Sequence, residues 1–264
     1  MPEQDSDDLS NIGVLVTRPA HQARSLVLRI EAHGGHAILL PTIEIEATDS
    51  EAMRAVLRQL PKFEFAIFIS VNAVEQGLAR LDDLHLPLPS RLRLACVGPA
   101  SATALKKAGY NVDIEPAEKF DSESLLAQQG LQAVAGKRIV IFRGTGGREL
   151  LAQTLRERGA EVVYAECYRR RRPQTDTRAI ERDWSRGKVV VVVVTSGEGL
   201  QNLFDMLSDS GKQLLLQTPV ITVSERTQLA AQALGVKNVR VTMDASDLAI
   251  VEELKTWRRK QKAL

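Results

Sequence analysis

The chain repeats itself once, at a near-constant offset, and that repeat limits what it can fold into. Val14-Leu15-Val16-Thr17-Arg18 has a counterpart in Ile139-Val140-Ile141-Phe142-Arg143, 125 positions later. The same offset pairs Leu26 with Leu151 and Gly34 with Gly159. Farther on the offset becomes 126. Ile69-Ser70 then matches Thr195-Ser196, Val97 matches Val223, Ser101 matches Thr227, and Gly109 matches Gly235. One insertion accounts for the whole alignment. A period of this size indicates a duplicated domain, not a solenoid of short units. The length of 264 residues agrees with two domains at about 150 residues each.

Each half alternates strands and helices. Strands are expected at 13–17, 36–40, 65–70, 92–97 and 112–115, then at 138–142, 162–164, 188–195, 220–223 and 239–242. Helices are expected at 20–33, 73–81, 101–108 and 122–133, then at 147–158, 199–208, 225–234 and 245–258. The strands are continuous apolar runs, clearest in the valines at 189–194. Such runs belong to sheets covered on both faces. The expected fold is therefore α/β, with two similar, doubly wound, parallel-sheet domains.

Several classes are excluded or disfavoured. Hydrophobic content of 44% and charged content of 26% are globular values. Lys+Arg of 35 against Asp+Glu of 33 leaves a net charge of +2. That balance argues against binding nucleic acid or anionic membrane through bulk charge. Cys96 and Cys167 lack partners at metal-ligand spacing and read as two buried thiols of a reducing compartment. The longest apolar run is far below the ~20 residues of a membrane span. Residues 1–11 are acidic and polar, which reads as a solvated tail and not a signal peptide. A cytoplasmic protein is expected.

Ligands of open α/β sheets sit beyond the carboxyl ends of the strands. Those positions carry Thr17-Arg18, Ser70-Val71-Asn72, and Gly98-Pro99 with Ser101 in the first half. In the second half they carry Arg143-Gly144-Thr145-Gly146-Gly147, Thr195-Ser196-Gly197, and Ser224 with Thr227. Small and hydroxylated residues opening helices suit anions, because the first N–H groups there lack partners. Each such residue is also a good plain N-cap. The Arg143 turn lacks the lysine of a phosphate loop.

Arg169-Arg170-Arg171-Arg172 looks like a nucleic-acid patch in isolation. The repeat instead sets Arg169 and Arg171 against Glu44 and Glu46 in the sister segment. Two oppositely charged extended segments can pair as a ribbon between the domains. There Tyr168 stands where the sister segment has Ile43, in a chain with only 4% aromatic residues.

Particular motifs carry a resemblance. They are Val14-Leu15-Val16-Thr17-Arg18-Pro19, Leu40-Pro41-Thr42-Ile43-Glu44-Ile45, Phe68-Ile69-Ser70-Val71-Asn72-Ala73-Val74, and Val97-Gly98-Pro99-Ala100-Ser101-Ala102-Thr103-Ala104. Gly147-Arg148-Glu149-Leu150-Leu151, Tyr168-Arg169 and Thr195-Ser196 add to these. In order and spacing they resemble the uroporphyrinogen-III synthase family, over about residues 12–255. Ser101 stands where that family often has Thr, and Ser224 where Gly is common.

The resemblance implies two α/β domains joined by a two-stranded linker, with the active site in the cleft between them. It implies exchanged halves. One domain would be 1–40 plus 173–264, the other 47–166, and the linker strands 41–46 and 167–172. The implied reaction cyclises hydroxymethylbilane to uroporphyrinogen III, with loss of water and inversion of ring D. No metal and no organic cofactor are implied. Tyr168 matches the family's functional tyrosine, as general acid or orienting donor. Arg18, Ser70, Asn72, Ser101, Arg143, Ser196, Gly197 and Thr227 are the expected contacts to the substrate's carboxylates. A monomer is expected, with hydroxymethylbilane synthase as the enzyme that would hand the substrate over. The alternative is a non-catalytic, hinged two-domain protein that binds an anionic small molecule.

Overall fold

Hydrophobic residues at successive positions of a strand point to opposite faces, so a continuous apolar run buries both. Leu15, Val192, Val194 and Val220 pack into one cluster, while Val14, Val16, Val191 and Val193 pack into another. Phe68, Val140 and Phe142 are separated in the same way from Ile67, Ile139 and Ile141. Four cores therefore cover the two faces of two sheets.

The computed structural model describes residues 9–262. In chain order its strands and α-helices are β1 (Gly13–Val16), α1 (Ala20–Ala32), β2 (His36–Leu39), β3 (Glu44–Ala47), α2 (Glu51–Arg58), β4 (Phe65–Phe68), α3 (Val71–Asp83), β5 (Arg93–Cys96), α4 (Pro99–Lys107) and α5 (Ser122–Leu126). There follow β6 (Arg138–Gly144), α6 (Leu150–Glu157), β7 (Glu161–Arg171), α7 (Arg178–Ser185), β8 (Val191–Val194), α8 (Gly197–Met206), α9 (Asp209–Gln217), β9 (Val220–Thr222), α10 (Glu225–Ala233), β10 (Val239–Val241) and α11 (Asp247–Lys262). The chain forms two compact units. One runs to Glu44 and resumes at Arg171, and the other is Ile45–Arg170.

The discontinuous unit has strand order β10-β9-β8-β1-β2, and the continuous unit has β3-β7-β6-β4-β5. Each sheet thus mixes strands from both halves of the repeat. The registers are equivalent as well. Val14 lies beside Val191 in one sheet, and their repeat counterparts Ile139 and Phe65 lie side by side in the other. Gly13 with His36 corresponds to Arg138 with Glu161. Val192 with Val220 corresponds to Ala66 with Leu94. Gly34 and Gly159 both follow a helix with positive φ, 79° and 85°, as do Gly109 and Gly235 at 88° and 97°. Only glycine takes that conformation without strain, which is why these positions recur.

β3 neighbours β7. Glu46 accepts hydrogen bonds from Arg169 (3.0 and 2.9 Å), and Glu44 accepts two from Arg171 (3.1 Å). One number rises as the other falls, which is the mark of antiparallel pairing. Arg169 and Arg171 are therefore engaged with carboxylates, and Arg172 is also paired, with Asp205 at 2.8 Å.

Some expectations are corrected. Helices α2, α7 and α9 were not anticipated. α2 and α7 occupy equivalent places in the repeat, each soon after a strand that carries the chain between units. The helix expected at 122–133 stops at Leu126, because the backbone turns extended at Gln128 (ψ 137°), and only a 3-10 turn follows at Gln129–Leu131. The strand expected at 112–115 is reduced to one bridge, Ala95 to Ile114. The tail expected at 1–11 is not solvated at its end. Leu9 is fully buried, and its N–H donates to the His33 carbonyl at 2.8 Å. The rest of that expectation, residues 1–8, lies outside the described residues.

Both cysteines are free and buried. Burial pushes the Cys96 thiol up to about 11 and the Cys167 thiol up to about 12. Only thiolates alkylate readily. At about pH 8, iodoacetamide should therefore modify neither cysteine until denaturant is added, as intact mass will show. A raised acid pKa stabilises the fold fully below the unfolded value of about 8.5. That contribution should fall away as pH climbs from there toward 11–12.

Candidate active site

The continuous unit holds five of the expected residues at or near the carboxyl ends of its strands. Ser70 ends the segment after β4 and caps α3, its Oγ accepting from the Ala73 N–H at 3.1 Å. Tyr168 comes from β7 and is 1% exposed. Its hydroxyl and Ser70 Oγ share a hydrogen bond of 3.0 Å. Asn72 lies in the first turn of α3, two residues from Ser70.

A bulge puts Tyr168 on this face. β7 and β6 pair residue for residue as far as Arg143 with Glu166, but Gly144 then pairs with Tyr168. One extra residue in β7 reverses the side-chain alternation. Tyr164 accordingly packs on one core of the sheet, whereas Tyr168 joins the other, with Phe68 and Phe142. Those two rings stack at 4.4 Å. Gly144 makes room for the tyrosine. A Cβ there would fall 2.6 Å from Tyr168 Cε2 and 2.8 Å from Cζ.

Arg143 is the fourth. It ends the buried part of β6 yet is only 2% exposed, with its guanidinium turned onto the following loop. Nη1 donates to Glu149 at 2.9 Å, Nε to the Gly144 carbonyl at 3.2 Å, and Nη2 to the Gly146 carbonyl. The cation sits 4.4 Å above the Tyr164 ring. The Tyr164 hydroxyl donates to the other oxygen of Glu149. The bonds from Tyr164 and Arg143 hold the Glu149 carboxyl below its ordinary range. Burial, with the Glu149 bond, pushes the Tyr164 phenol up. Ser101, in the first turn of α4, is buried at 4% exposure and apart from these bonds.

The discontinuous unit holds the remaining candidates in equivalent places. Ser196 caps α8, accepting from the Gly199 N–H at 3.0 Å, as its counterpart Ser70 caps α3. Gly197 opens that helix, and a Cβ there would meet nothing within 4 Å. Thr227, the counterpart of Ser101, bonds to Ser224 Oγ at 3.0 Å and is buried. Arg18 pairs with Asp247 and donates to the Ala245 carbonyl at 3.2 Å. Arg18 and Arg143, equivalent in the repeat, thus each fasten a loop that leads into a helix. No phenol stands in this unit where Tyr168 stands in the other, because Ile43 occupies the position.

Sequence reasoning did not bring Glu149 and Tyr164 together with Arg143. Two of the chain's three tyrosines fall in β7, four residues apart, and that clustering was the available signal. Among the described residues, no group of three or more His, Cys, Asp or Glu side chains could hold a metal ion. No described helix is long and apolar enough to cross a membrane.

Known proteins share this sequence pattern and this fold. The model of a family described as uroporphyrinogen-III synthase HemD matches residues 24–252. The uroporphyrinogen-III synthase of Salmonella typhimurium is 34% identical over 92% of this chain and all of its own length. That of Escherichia coli is 33% identical with the same coverage. Among solved structures, the Helicobacter pylori uroporphyrinogen-III synthetase is similar with a TM-score of 0.62 at 14% identity, covering 94% of this chain and 100% of its own. A mutant Thermus thermophilus uroporphyrinogen III synthase gives 0.61 at 21%, covering 95% and 99%. These two structures speak for the fold, and the sequence matches carry the identification: the chain belongs to the uroporphyrinogen-III synthase family.

Proposed function

We propose that the chain cyclises hydroxymethylbilane to uroporphyrinogen III, losing water and inverting ring D, and that Tyr168 supplies the proton for the departing hydroxyl. The single observation that supports this role is the phenol held 3.0 Å from Ser70 Oγ. Ser70 Oγ already accepts from the Ala73 N–H, so its own proton is free to be donated to the phenol oxygen. The phenol's proton can then be directed at a third group. Proton donation to a leaving hydroxyl is ordinary general-acid catalysis. Departure of water leaves an electrophilic azafulvenium ion. Attack on it by the substituted carbon of ring D gives a spiro intermediate, and its rearrangement inverts the ring. The proton released when the product rearomatises returns to the tyrosinate.

The substrate is flexible and carries eight carboxylates. Most of the enzyme's work is then to hold one conformation. We assign that work to the turns of both units, with Ser70, Asn72, Ser101, Ser196, Gly197, Thr227 and Arg18 near the carboxylates. The setting we assign is the cytoplasm, with hydroxymethylbilane synthase as the source of substrate and a monomer as the working form.

The test is product analysis. Hydroxymethylbilane is generated in situ, the protein is added, and the oxidised uroporphyrin isomers are separated. Isomer III should predominate. Tyr168→Phe should lower its rate about tenfold and not abolish it, because water can replace a lost acid in part. Isomer I alone, at the spontaneous rate and with folded protein, would overturn the assignment. A non-catalytic anion-binding protein would then remain.

A further inference from the structure

Arg143 is expected among the contacts to the substrate's carboxylates. Instead its guanidinium is spent inside the continuous unit. It bridges Glu149, the Gly144 and Gly146 carbonyls and the face of Tyr164, and the Tyr164 hydroxyl closes the circuit on Glu149. A buried arginine with planar contacts of this kind fixes its surroundings, since each donor has one direction.

The segment it fixes touches Tyr168 at two points. The Thr145 N–H donates to the Tyr168 carbonyl at 2.8 Å. Gly144 lies directly against the Tyr168 ring. The Gly146 and Gly147 backbones have φ of 75° and 104°, a path that the chain takes around the guanidinium. A Cβ on Gly147 would stand 3.1 Å from Arg143 Nη2.

We propose that Arg143, Glu149 and Tyr164 form a positioning triad that sets the Tyr168 phenol through the Gly144–Thr145 turn. The triad acts on Tyr168 and does not touch substrate. The idea rests on Tyr168 serving the reaction assigned above. Losing one triad bond should loosen the turn and let the phenol drift from its productive position. Small misplacements of a reacting group are costly in rate.

Two variants disturb the triad mildly. Tyr164→Phe keeps the ring under the guanidinium and removes only the hydroxyl. Glu149→Gln keeps the shape and removes the charge. Each should lower kcat about fivefold and leave KM within about twofold. In a Tyr168→Phe background the same changes should have no further effect, because the group being positioned is gone. Equal losses in both backgrounds, or a raised KM with kcat intact, would overturn the proposal.

A second readout needs no substrate. Hydrogen exchange of the Thr145 amide in the free protein should be about tenfold faster in either variant than in the wild type. Unchanged exchange would also overturn the triad. Wild-type protein that makes only isomer I would refute the functional reading, and the exchange result would still decide whether the triad holds the turn.

Discussion

Gly13→Ala should unfold the discontinuous unit, or weaken it by about 3–5 kcal/mol. Gly13 opens β1, a strand with neighbours on both sides in its sheet. Its carbonyl accepts from the Val190 N–H at 3.0 Å. A Cβ at this position would run into the Lys188 carbonyl oxygen and lie 2.8 Å from its carbon. The obstacle is backbone, so no rotamer change relieves it. The strand must slide or separate, and β1 pairing with β8 is the sheet contact that joins the two parts of this unit. The repeat counterpart, Arg138, bears a long side chain, so the demand for glycine comes from the Lys188 approach and not from strand geometry. Both tryptophans, Trp184 and Trp257, are buried in the discontinuous unit. Tryptophan fluorescence in a urea titration therefore follows this unit. Its midpoint should fall by roughly 1–2 M. An unchanged midpoint would mean that the Lys188 carbonyl yields cheaply.

The duplication was legible because the repeated positions are ones that backbone geometry makes hard to replace. Gly34 with Gly159, and Gly109 with Gly235, end equivalent helices with positive φ. The alternating strands and helices followed from the apolar runs. The partners of β1 did not. Val14, Leu15 and Val16 would be equally satisfied beside 65–68 or beside 191–194, since both runs are apolar on both faces. The residues fix that a strand is buried on two sides and leave open which strand buries it. Only the family resemblance implied exchanged halves. α2 and α7 escaped notice for a different reason. They are eight residues each, rich in Glu and Arg, and held by one buried edge apiece, Met53 with Leu57 and Glu181 with Trp184. Short helices of this kind owe their existence to tertiary packing more than to their own propensity.

The site was legible by residue type and illegible by direction. Ser70 and Ser196 were read as either caps or ligand contacts, and both hydroxyls do cap their helices. Strict strand alternation would place Tyr164 and Tyr168 on one face. The bulge after Arg143 separates them, and nothing in the residue types announces it. Arg143 is another case in which direction does not follow from residue type. An arginine at a strand end reads as an outward cation, but the glycine-rich turn that follows exposes its carbonyls, and those draw the guanidinium inward.

Gly144→Ala should cost about a hundredfold in the rate of isomer III formation, more than removing the Tyr168 hydroxyl itself. The added methyl would stand 2.6 Å from Tyr168 Cε2. The ring is 1% exposed and packed among Phe68, Phe142 and Cys167, so it cannot retreat into the core. It must shift as a body, which separates the phenol from Ser70 Oγ and strains the Thr145 bond to the Tyr168 carbonyl. Tyr168→Phe leaves the ring in place and lets water take over the proton in part, whereas Gly144→Ala displaces both the donor and the surface around it. As the enzymatic rate falls, spontaneous cyclisation to the uninverted isomer competes, so the ratio of isomer III to isomer I should drop as well. The overpacking should also lower stability by about 1–3 kcal/mol. The cause can be isolated in a Tyr168→Ala background. Without the ring the methyl has space, and Gly144→Ala should then be nearly neutral in urea unfolding. If the stability loss persisted there, the glycine would be required by the backbone and not by the tyrosine, and the steric account of how β6 makes room for the phenol would be wrong.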